Sequence, residues 1–120
     1  MTYCVGMMLD KGLVLMSDTR TNSGVDNISV FRKMFTWNVP GERIITLLTA
    51  GNLASTQAVI SQLEERMKEP DERDNIILKS PTMFRVATEI GKLLRTIIAE
   101  RQDSNGVKGM GRFTASIIVA

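Results

Sequence analysis

Two pairs of apolar segments, each joined by a short polar turn, limit how the first half of this chain can fold. The residues from Thr2 to Leu9 are almost uniformly apolar, Asp10-Lys11-Gly12 has turn chemistry, and the apolar pattern resumes from Leu13 to Asp18. This arrangement predicts a β-hairpin that is buried on both faces. A two-residue turn pairs residues whose numbers sum to 21, and a three-residue loop pairs those that sum to 22. The polar segment from Thr19 to Ser29 is predicted to be a loop.

A second hairpin is predicted after this loop. Its strands are Val30 to Asn38 and Arg43 to Ala50, both rich in residues that favour strands. Between them, Val39-Pro40-Gly41-Glu42 places proline and glycine where a type II turn requires them. A turn centred on this Pro-Gly pair joins residues whose numbers sum to 81, so Lys33 is expected opposite Leu48 near the open end of the hairpin.

The rest of the chain predicts two amphipathic helices and a last strand. Asn52 is expected to cap a helix that ends before Pro70, and Ser80 is expected to cap a second helix that begins at Pro81. Phe113 to Ala120 has the pattern of a strand. Strands, then helices, then a strand indicate an α+β fold with an antiparallel sheet and a helical layer on one face. The expected apolar faces are Leu53, Ile60, Leu63 and Met67 in the first helix, and Met83, Val86, Ile90, Leu93, Leu94, Ile97 and Ile98 in the second.

Composition narrows the classes of function. The chain has 120 residues, of which 43% are hydrophobic, and this predicts one domain or a piece of one. Its 15 basic and 13 acidic residues are mixed along the chain, and a net charge of +2 does not indicate binding to nucleic acid. No apolar run indicates a membrane span, and the start of the chain does not resemble a secretory signal. The single cysteine, Cys4, fits a reducing compartment, so we expect a cytoplasmic protein.

Histidine is absent from the chain. Its absence excludes Ser-His and Cys-His dyads and removes a usual ligand of zinc and copper, so no metal site is predicted. A general base must then be a carboxylate, a lysine or an α-amino group, and the last has a reference pKa of roughly 7.7 to 8.0.

Four residues form a reactive site if the open ends of the two hairpins meet, which the pairing arithmetic alone leaves open. Thr2 would offer a hydroxyl nucleophile and, once Met1 is removed, its own α-amine as the base. A protonated Lys33 would favour the neutral amine and the ionising hydroxyl, with Asp18 as its counter-ion. Gly51, at the start of a helix, would present its N–H to an oxyanion.

Each of these residues also has a simpler structural interpretation. Threonine is a common second residue, and a lysine at the position of Lys33 is compatible with an edge strand. Asp18 is compatible with a capping carboxylate in a turn, and Gly51 with an ordinary turn between a strand and a helix.

The combined pattern nevertheless resembles a proteasome β-type subunit. The residues that carry this resemblance are Thr2, Ser17-Asp18-Thr19-Arg20, Gly24, Lys33 and Thr49-Ala50-Gly51 before a helix. The likeness is strongest to a bacterial, proteasome-related branch, in the strings Met1-Thr2-Tyr3-Cys4-Val5-Gly6, Gly24-Val25-Asp26-Asn27, Phe31-Arg32-Lys33-Met34 and Ala50-Gly51-Asn52-Leu53. Residues 1–120 would then be the amino-terminal portion of a single peptidase domain whose second half is missing. The interval from Gly24 to Lys33 is one residue shorter than is typical of proteasome subunits.

The resemblance implies an αββα four-layer sandwich of the N-terminal-nucleophile hydrolase type, assembled into a homo-oligomeric ring or spiral. It implies a threonine peptidase in which Thr2 is the nucleophile, Asp18 and Lys33 activate it, and Gly51 forms the oxyanion hole. Asn22 would lie along the substrate. Peptides or unfolded proteins would be cleaved through an acyl-enzyme ester without a cofactor. The alternative is a non-catalytic assembly or peptide-binding subunit, and neither interpretation identifies a partner ATPase.

Overall fold

The fold is described from a computed structural model, over residues 2–22, 28–68, 76–104 and 115–120. Within these ranges the chain forms three antiparallel sheets and three helices, so the predicted α+β class is confirmed. Over the same ranges, no helix is both long enough and apolar enough to cross a membrane.

The first hairpin has the tighter of its two predicted registers. Strand β1 (Cys4–Leu9) pairs with strand β2 (Gly12–Ser17), and Cys4 lies opposite Ser17, so paired residue numbers sum to 21. The two-residue turn at Asp10-Lys11 leaves no extra residue in either strand. The prediction that this hairpin is buried on both faces is wrong.

Exposure of the hairpin rises toward its turn. Near the turn, Met8 is 89% exposed and Leu9 is 56% exposed, and Leu13 is also largely accessible. The apolar residues lie on both sides of the strands, since neighbouring residues of a strand point to opposite faces. At its open end the hairpin lies against the larger sheet, where Cys4 bonds to the Thr49 carbonyl, and the residues near the turn are more exposed. An apolar pattern therefore correctly predicted strands without determining what covers them.

The segment predicted to be a loop contains a short strand. Strand β3 (Arg20–Asn22) pairs with strand β4 (Ile28–Val30), within the ranges predicted as a loop and as the start of the third strand. The chain then leaves strand geometry over residues 31–33, and the Phe31 N–H donates to the carbonyl of Thr19 at 2.8 Å. The predicted strand from Val30 to Asn38 is therefore interrupted, and Lys33 lies in the interruption.

The second hairpin is shifted by one residue from the predicted register. Strand β5 (Met34–Val39) pairs with strand β6 (Arg43–Gly51), and Met34 lies opposite Leu48, which gives a sum of 82. The type II turn is present: Gly41 has a φ of 74°, and the Glu42 N–H donates to the Val39 carbonyl at 3.0 Å. A type II turn twists the wrong way for a two-residue hairpin loop, and here the loop has three residues, since Val39 pairs with Arg43.

Strand β7 (Ala115–Val119) completes the larger sheet by pairing with the other edge of β6. Three helices cover one face of this sheet: α1 (Leu53–Lys68), α2 (Ile76–Lys79) and α3 (Met83–Ser104). The core between sheet and helices contains Ile45, Leu47, Val59, Ile60, Leu63, Ile77, Val86, Ile90, Leu93 and Ile97. The predicted helical layer on one face of an antiparallel sheet is thus observed, with α2 as an unpredicted addition.

The helix starts agree with prediction at one of two places. Asn52 caps α1, because its Oδ1 accepts the Ser55 N–H at 3.0 Å. The cap of α3 is Thr82, whose Oγ1 accepts the Arg85 N–H at 3.3 Å, so the prediction of Ser80 as the cap is wrong. The carbonyl of Ser80 instead accepts from the Arg43 guanidinium, which ties β6 to the end of α2. Pro70, the predicted end of α1, lies outside the described residues.

Candidate active site

The open ends of the two predicted hairpins meet in the structure. Strand β1 lies against β6, and the Cys4 thiol donates to the carbonyl of Thr49 at 3.7 Å. On the other side of this junction the Lys33 ammonium bonds to Asp18 at the end of β2. The question left open by the pairing arithmetic is therefore answered by contacts that join residues far apart in the sequence.

Asp18 holds the start of the chain in place. Its backbone N–H donates to the carbonyl of Tyr3 at 3.0 Å, and its Oδ1 accepts the N–H of Tyr3, also at 3.0 Å. This pair continues the β1–β2 ladder by one step, beyond Cys4 and Ser17. Thr2 immediately precedes Tyr3 in the chain, so the two bonds between Tyr3 and Asp18 fix where Thr2 leaves the hairpin.

Lys33 is a buried cation with defined partners. It is 5% exposed, and its Nζ lies 2.8 Å from Asp18 Oδ1. The same ammonium donates to the carbonyl of Arg20 at 2.5 Å. A buried ammonium needs such partners because it has lost its water. This environment is not that of a solvated lysine on an edge strand, which was the structural alternative.

The ion pair also acts on the carboxylate. The hydrogen bond from Lys33 holds the pKa of Asp18 below its ordinary value, and the backbone N–H of Tyr3 lowers this pKa further. Both donors favour the charged form of the carboxyl group, since each stabilises negative charge on its oxygens. Asp18 is therefore a carboxylate near neutral pH and serves as the counter-ion of Lys33.

A cavity of about 100 Å³ lies where these elements converge. Thr2, Lys33 and Gly51 all contribute to its wall, while Asp18 contacts Lys33 from the side. The complete lining is Thr2, Thr21, Lys33, Thr49, Ala50, Gly51, Leu53 and Thr56. The structure thus brings a hydroxyl, a cation and a glycine at a helix start to one place.

Gly51 occupies a conformation that suits glycine. Its φ is 102°, a value that side chains with a Cβ rarely adopt, and it lies between the end of β6 and the cap of α1 at Asn52. Successive N–H groups of an antiparallel strand point to opposite neighbours. The Thr49 N–H points to the Lys33 carbonyl, so that of Gly51 points to the same side, past the end of β5.

Asn22, the predicted substrate-contacting residue, is the last residue of β3, opposite Ile28. Its role stays a prediction. Sequence reasoning did not identify Thr21 or Thr56 as part of the cavity wall, or the Arg20 carbonyl as a partner of Lys33. A backbone carbonyl leaves no signature in a sequence, and isolated threonines are too common to attract notice.

Cys4 is close to the site but is a poor candidate for a nucleophile. Partial burial raises the pKa of its thiol, and the nearby Asp18 carboxylate raises it further against the opposing effect of Lys33. A thiol with a raised pKa carries little thiolate at neutral pH, and the thiolate is the reactive form. The bond from its Sγ to Thr49 accordingly has the thiol as donor.

Solved structures provide the comparison with known proteins. The Anbu (Gly-1) mutant from Hyphomicrobium sp. strain MC1 is 37% identical with a TM-score of 0.80, over 98% of this chain and 46% of that one. The Anbu complex from Pseudomonas aeruginosa, a helical assembly, is 37% identical with a TM-score of 0.82, over 99% of this chain and 47% of that one. Anbu from Yersinia bercovieri, an ancestral β-subunit, is 34% identical with a TM-score of 0.82, over 99% of this chain and 46% of that one.

This chain therefore spans about half the length of the solved structures that it matches. No model of a known protein family matches the sequence, and no curated protein matches it either. The similarity consists of 34% to 37% sequence identity and a shared fold over almost all of this chain. Over almost its whole length the chain is therefore similar to Anbu proteins, in agreement with the bacterial, proteasome-related branch that its sequence strings resemble.

Proposed function

We propose that this chain is the amino-terminal portion of a threonine peptidase that cleaves peptide bonds with Thr2 as the nucleophile. One observation carries the proposal: Thr2, Lys33 and Gly51 line the same cavity, and Asp18 neutralises the lysine. Similarity to the Anbu structures also supports it, because these proteins share the fold that brings the four residues together in this chain. The remainder of the domain would complete an αββα four-layer sandwich.

In the proposed reaction, loss of Met1 frees the α-amine of Thr2. The amine takes the hydroxyl proton as Thr2 Oγ1 attacks the carbonyl carbon of the substrate, so a carbon–oxygen bond forms and the carbonyl becomes an oxyanion. Lys33, buried beside Asp18, places positive charge at this point and favours both the neutral amine and the developing negative oxygen. Its proton stays on Nζ, where the Asp18 carboxylate and the Arg20 carbonyl accept hydrogen bonds.

Gly51 would stabilise the oxyanion through its N–H. The alternation of N–H groups along β6 directs this amide past the end of β5. The positive end of the α1 dipole lies next to it and favours negative charge there. Collapse of the intermediate breaks the carbon–nitrogen bond, and the protonated α-amine gives its proton to the leaving amine. An ester on Thr2 remains. Water, deprotonated by the same amine, then hydrolyses the ester and restores the free hydroxyl.

Peptides or unfolded proteins would be the substrates, and the protein would act as a homo-oligomer. Support for assembly comes from the Pseudomonas aeruginosa relative, which forms a helical assembly, and from the exposed apolar residues of the first hairpin. A head-to-tail contact between copies produces either a ring or a spiral, depending on the rotation between them. We propose a cytoplasmic location, in keeping with a single cysteine held as a thiol.

The test is covalent labelling of the full-length protein. Intact mass is expected to show loss of Met1, and a β-lactone or epoxyketone probe is expected to add once per chain, at Thr2. A Thr2→Ala variant, with the same chain start otherwise, is the control and should remain unlabelled. Retention of Met1 with no adduct in the wild-type protein would reject the peptidase and leave the non-catalytic assembly or peptide-binding subunit.

A further inference from the structure

Thr49 makes three hydrogen bonds to residues around the site, and no sequence pattern predicted them. Its N–H donates to the carbonyl of Lys33 at 2.8 Å, and its Oγ1 donates to the same carbonyl at 3.3 Å. Its own carbonyl accepts from the Cys4 thiol at 3.7 Å. One residue of β6 therefore bonds both to the lysine and to Cys4, the first residue of β1, which lies two residues after Thr2.

The backbone of Lys33 needs this support. Residues 31–33 lie between β4 and β5 and belong to neither strand, so regular pairing begins only at Met34. Within the described part of the chain, the hydrogen bonds recorded for the Lys33 carbonyl both come from Thr49. Where the side chain of Lys33 points depends on this peptide, because the ammonium must reach both Asp18 and the Arg20 carbonyl.

The hydroxyl distinguishes threonine from the alternatives at this position. Thr49 is 4% exposed and lies on a strand whose other buried residues include Ile45, Leu47 and Leu48. Valine would fill the same space with the same branching at Cβ, without placing a polar group in the interior. A buried hydroxyl requires a partner, and for Thr49 that partner is the carbonyl of Lys33.

We propose that Thr49 is a positioning residue that holds Lys33 in place for the chemistry at Thr2. The contacts form a closed circuit: Tyr3 to Asp18, Asp18 to Lys33, Lys33 to Thr49, and Thr49 to Cys4, which follows Tyr3 in the chain. Loss of the Thr49 hydroxyl leaves the Lys33 carbonyl with the Thr49 N–H as its donor and weakens the circuit at the lysine. The consequence for catalysis rests on the proposed function, whereas the consequence for the Asp18–Lys33 pair does not.

The experiment compares three variants of the full-length protein. Thr49→Val removes the hydroxyl and keeps the shape, and Thr49→Ser keeps the hydroxyl. Thr46→Val is the matched control: it is the same substitution at a buried threonine of the same strand, whose Oγ1 pairs with Thr36 Oγ1 at 3.1 Å. Two quantities are measured in each: the inactivation rate constant and the binding constant for the β-lactone probe, and the pKa of the Asp18 carboxyl group by ¹³C NMR.

Thr49→Val is expected to lower the inactivation rate constant about fivefold, the effect of one net hydrogen bond, with an unchanged probe binding constant. The Asp18 pKa should rise toward its ordinary value, because the lysine that lowers it is less well held. Thr49→Ser should restore most of the rate, and Thr46→Val should affect neither quantity.

Three results would overturn the proposal. These are an Asp18 pKa in Thr49→Val equal to that of the wild type, a change confined to the probe binding constant, and an equal loss in Thr49→Ser. The measurement of the Asp18 pKa does not require the protein to be catalytically active. If the wild-type protein takes no probe, the proposed function fails, and the Asp18 titration alone decides whether Thr49 positions Lys33.

Discussion

Replacement of Lys33 by methionine removes one charge from the site and keeps an unbranched side chain of similar length. Lys33 is 5% exposed, and its Nζ bonds to Asp18 Oδ1 at 2.8 Å. Methionine fits an apolar interior and adapts to irregular space, so the packing around the position should persist. The variant therefore tests the charge rather than the fold.

The size of the effect follows from the dimensions of the cavity. Thr2 and Lys33 both line a cavity of about 100 Å³, so the charges are taken to lie on the order of 6 Å apart. At an effective dielectric constant of about 20, unit charges about 6 Å apart interact by about 3 kcal/mol. Removal of the ammonium should therefore slow the attack of Thr2 by about two orders of magnitude.

The assay is the rate of covalent labelling of Thr2 by a β-lactone probe, measured by intact mass. Lys92→Met is the matched control, because it makes the same chemical change at a lysine whose side chain is 61% exposed on α3. Circular dichroism and oligomer size should be unchanged in both variants. If Lys33→Met folds, assembles and labels as fast as Lys92→Met, the electrostatic role assigned to Lys33 is refuted.

The remaining predictions concern stability. Because Lys33 lowers the pKa of Asp18, the stability from this pair is fully present above the ordinary carboxyl pKa and is lost as pH falls through the lowered value. In Asp18→Asn, the free energy of unfolding, measured with urea between about pH 2 and pH 6, should fall less steeply with decreasing pH. A fall as steep as that of the wild type would contradict the proposed pairing of Asp18 with Lys33. Asn52→Ala should lower the free energy of unfolding by about 1 kcal/mol, since it removes the acceptor of the Ser55 N–H. Asn52→Asp should retain most of the stability, and equal losses in both variants would argue against capping.

Features that depend on a few neighbouring residues could be predicted from the sequence. The turn at Asp10-Lys11, the type II turn at Pro40-Gly41 and the cap at Asn52 all occur where turn and cap chemistry placed them. The one-residue error in the second hairpin had a local cause as well. A type II turn was recognised, but its poor fit to a two-residue hairpin loop was not applied.

The elements that were missed are stabilised by distant parts of the chain. The polar sequence of β3 has no apolar alternation, and it forms a strand because β4 pairs with it. Ser80 has the right residue type for a cap, yet Thr82 caps α3, and Arg43 of β6 bonds to the Ser80 carbonyl instead. Choices between nearby candidates of similar propensity depend on tertiary contacts.

The sequence by itself determined the residue types of the site and the hairpin ends on which they lie, since side-chain chemistry and turn geometry are local properties. Only the tertiary structure decided that the two ends meet, through the bond of Cys4 to Thr49 and the pair of Lys33 with Asp18. Residue pairs within a hairpin can be counted outward from its turn along the chain. The contact between the two hairpins cannot be counted in this way, because it depends on how two separate surfaces pack together.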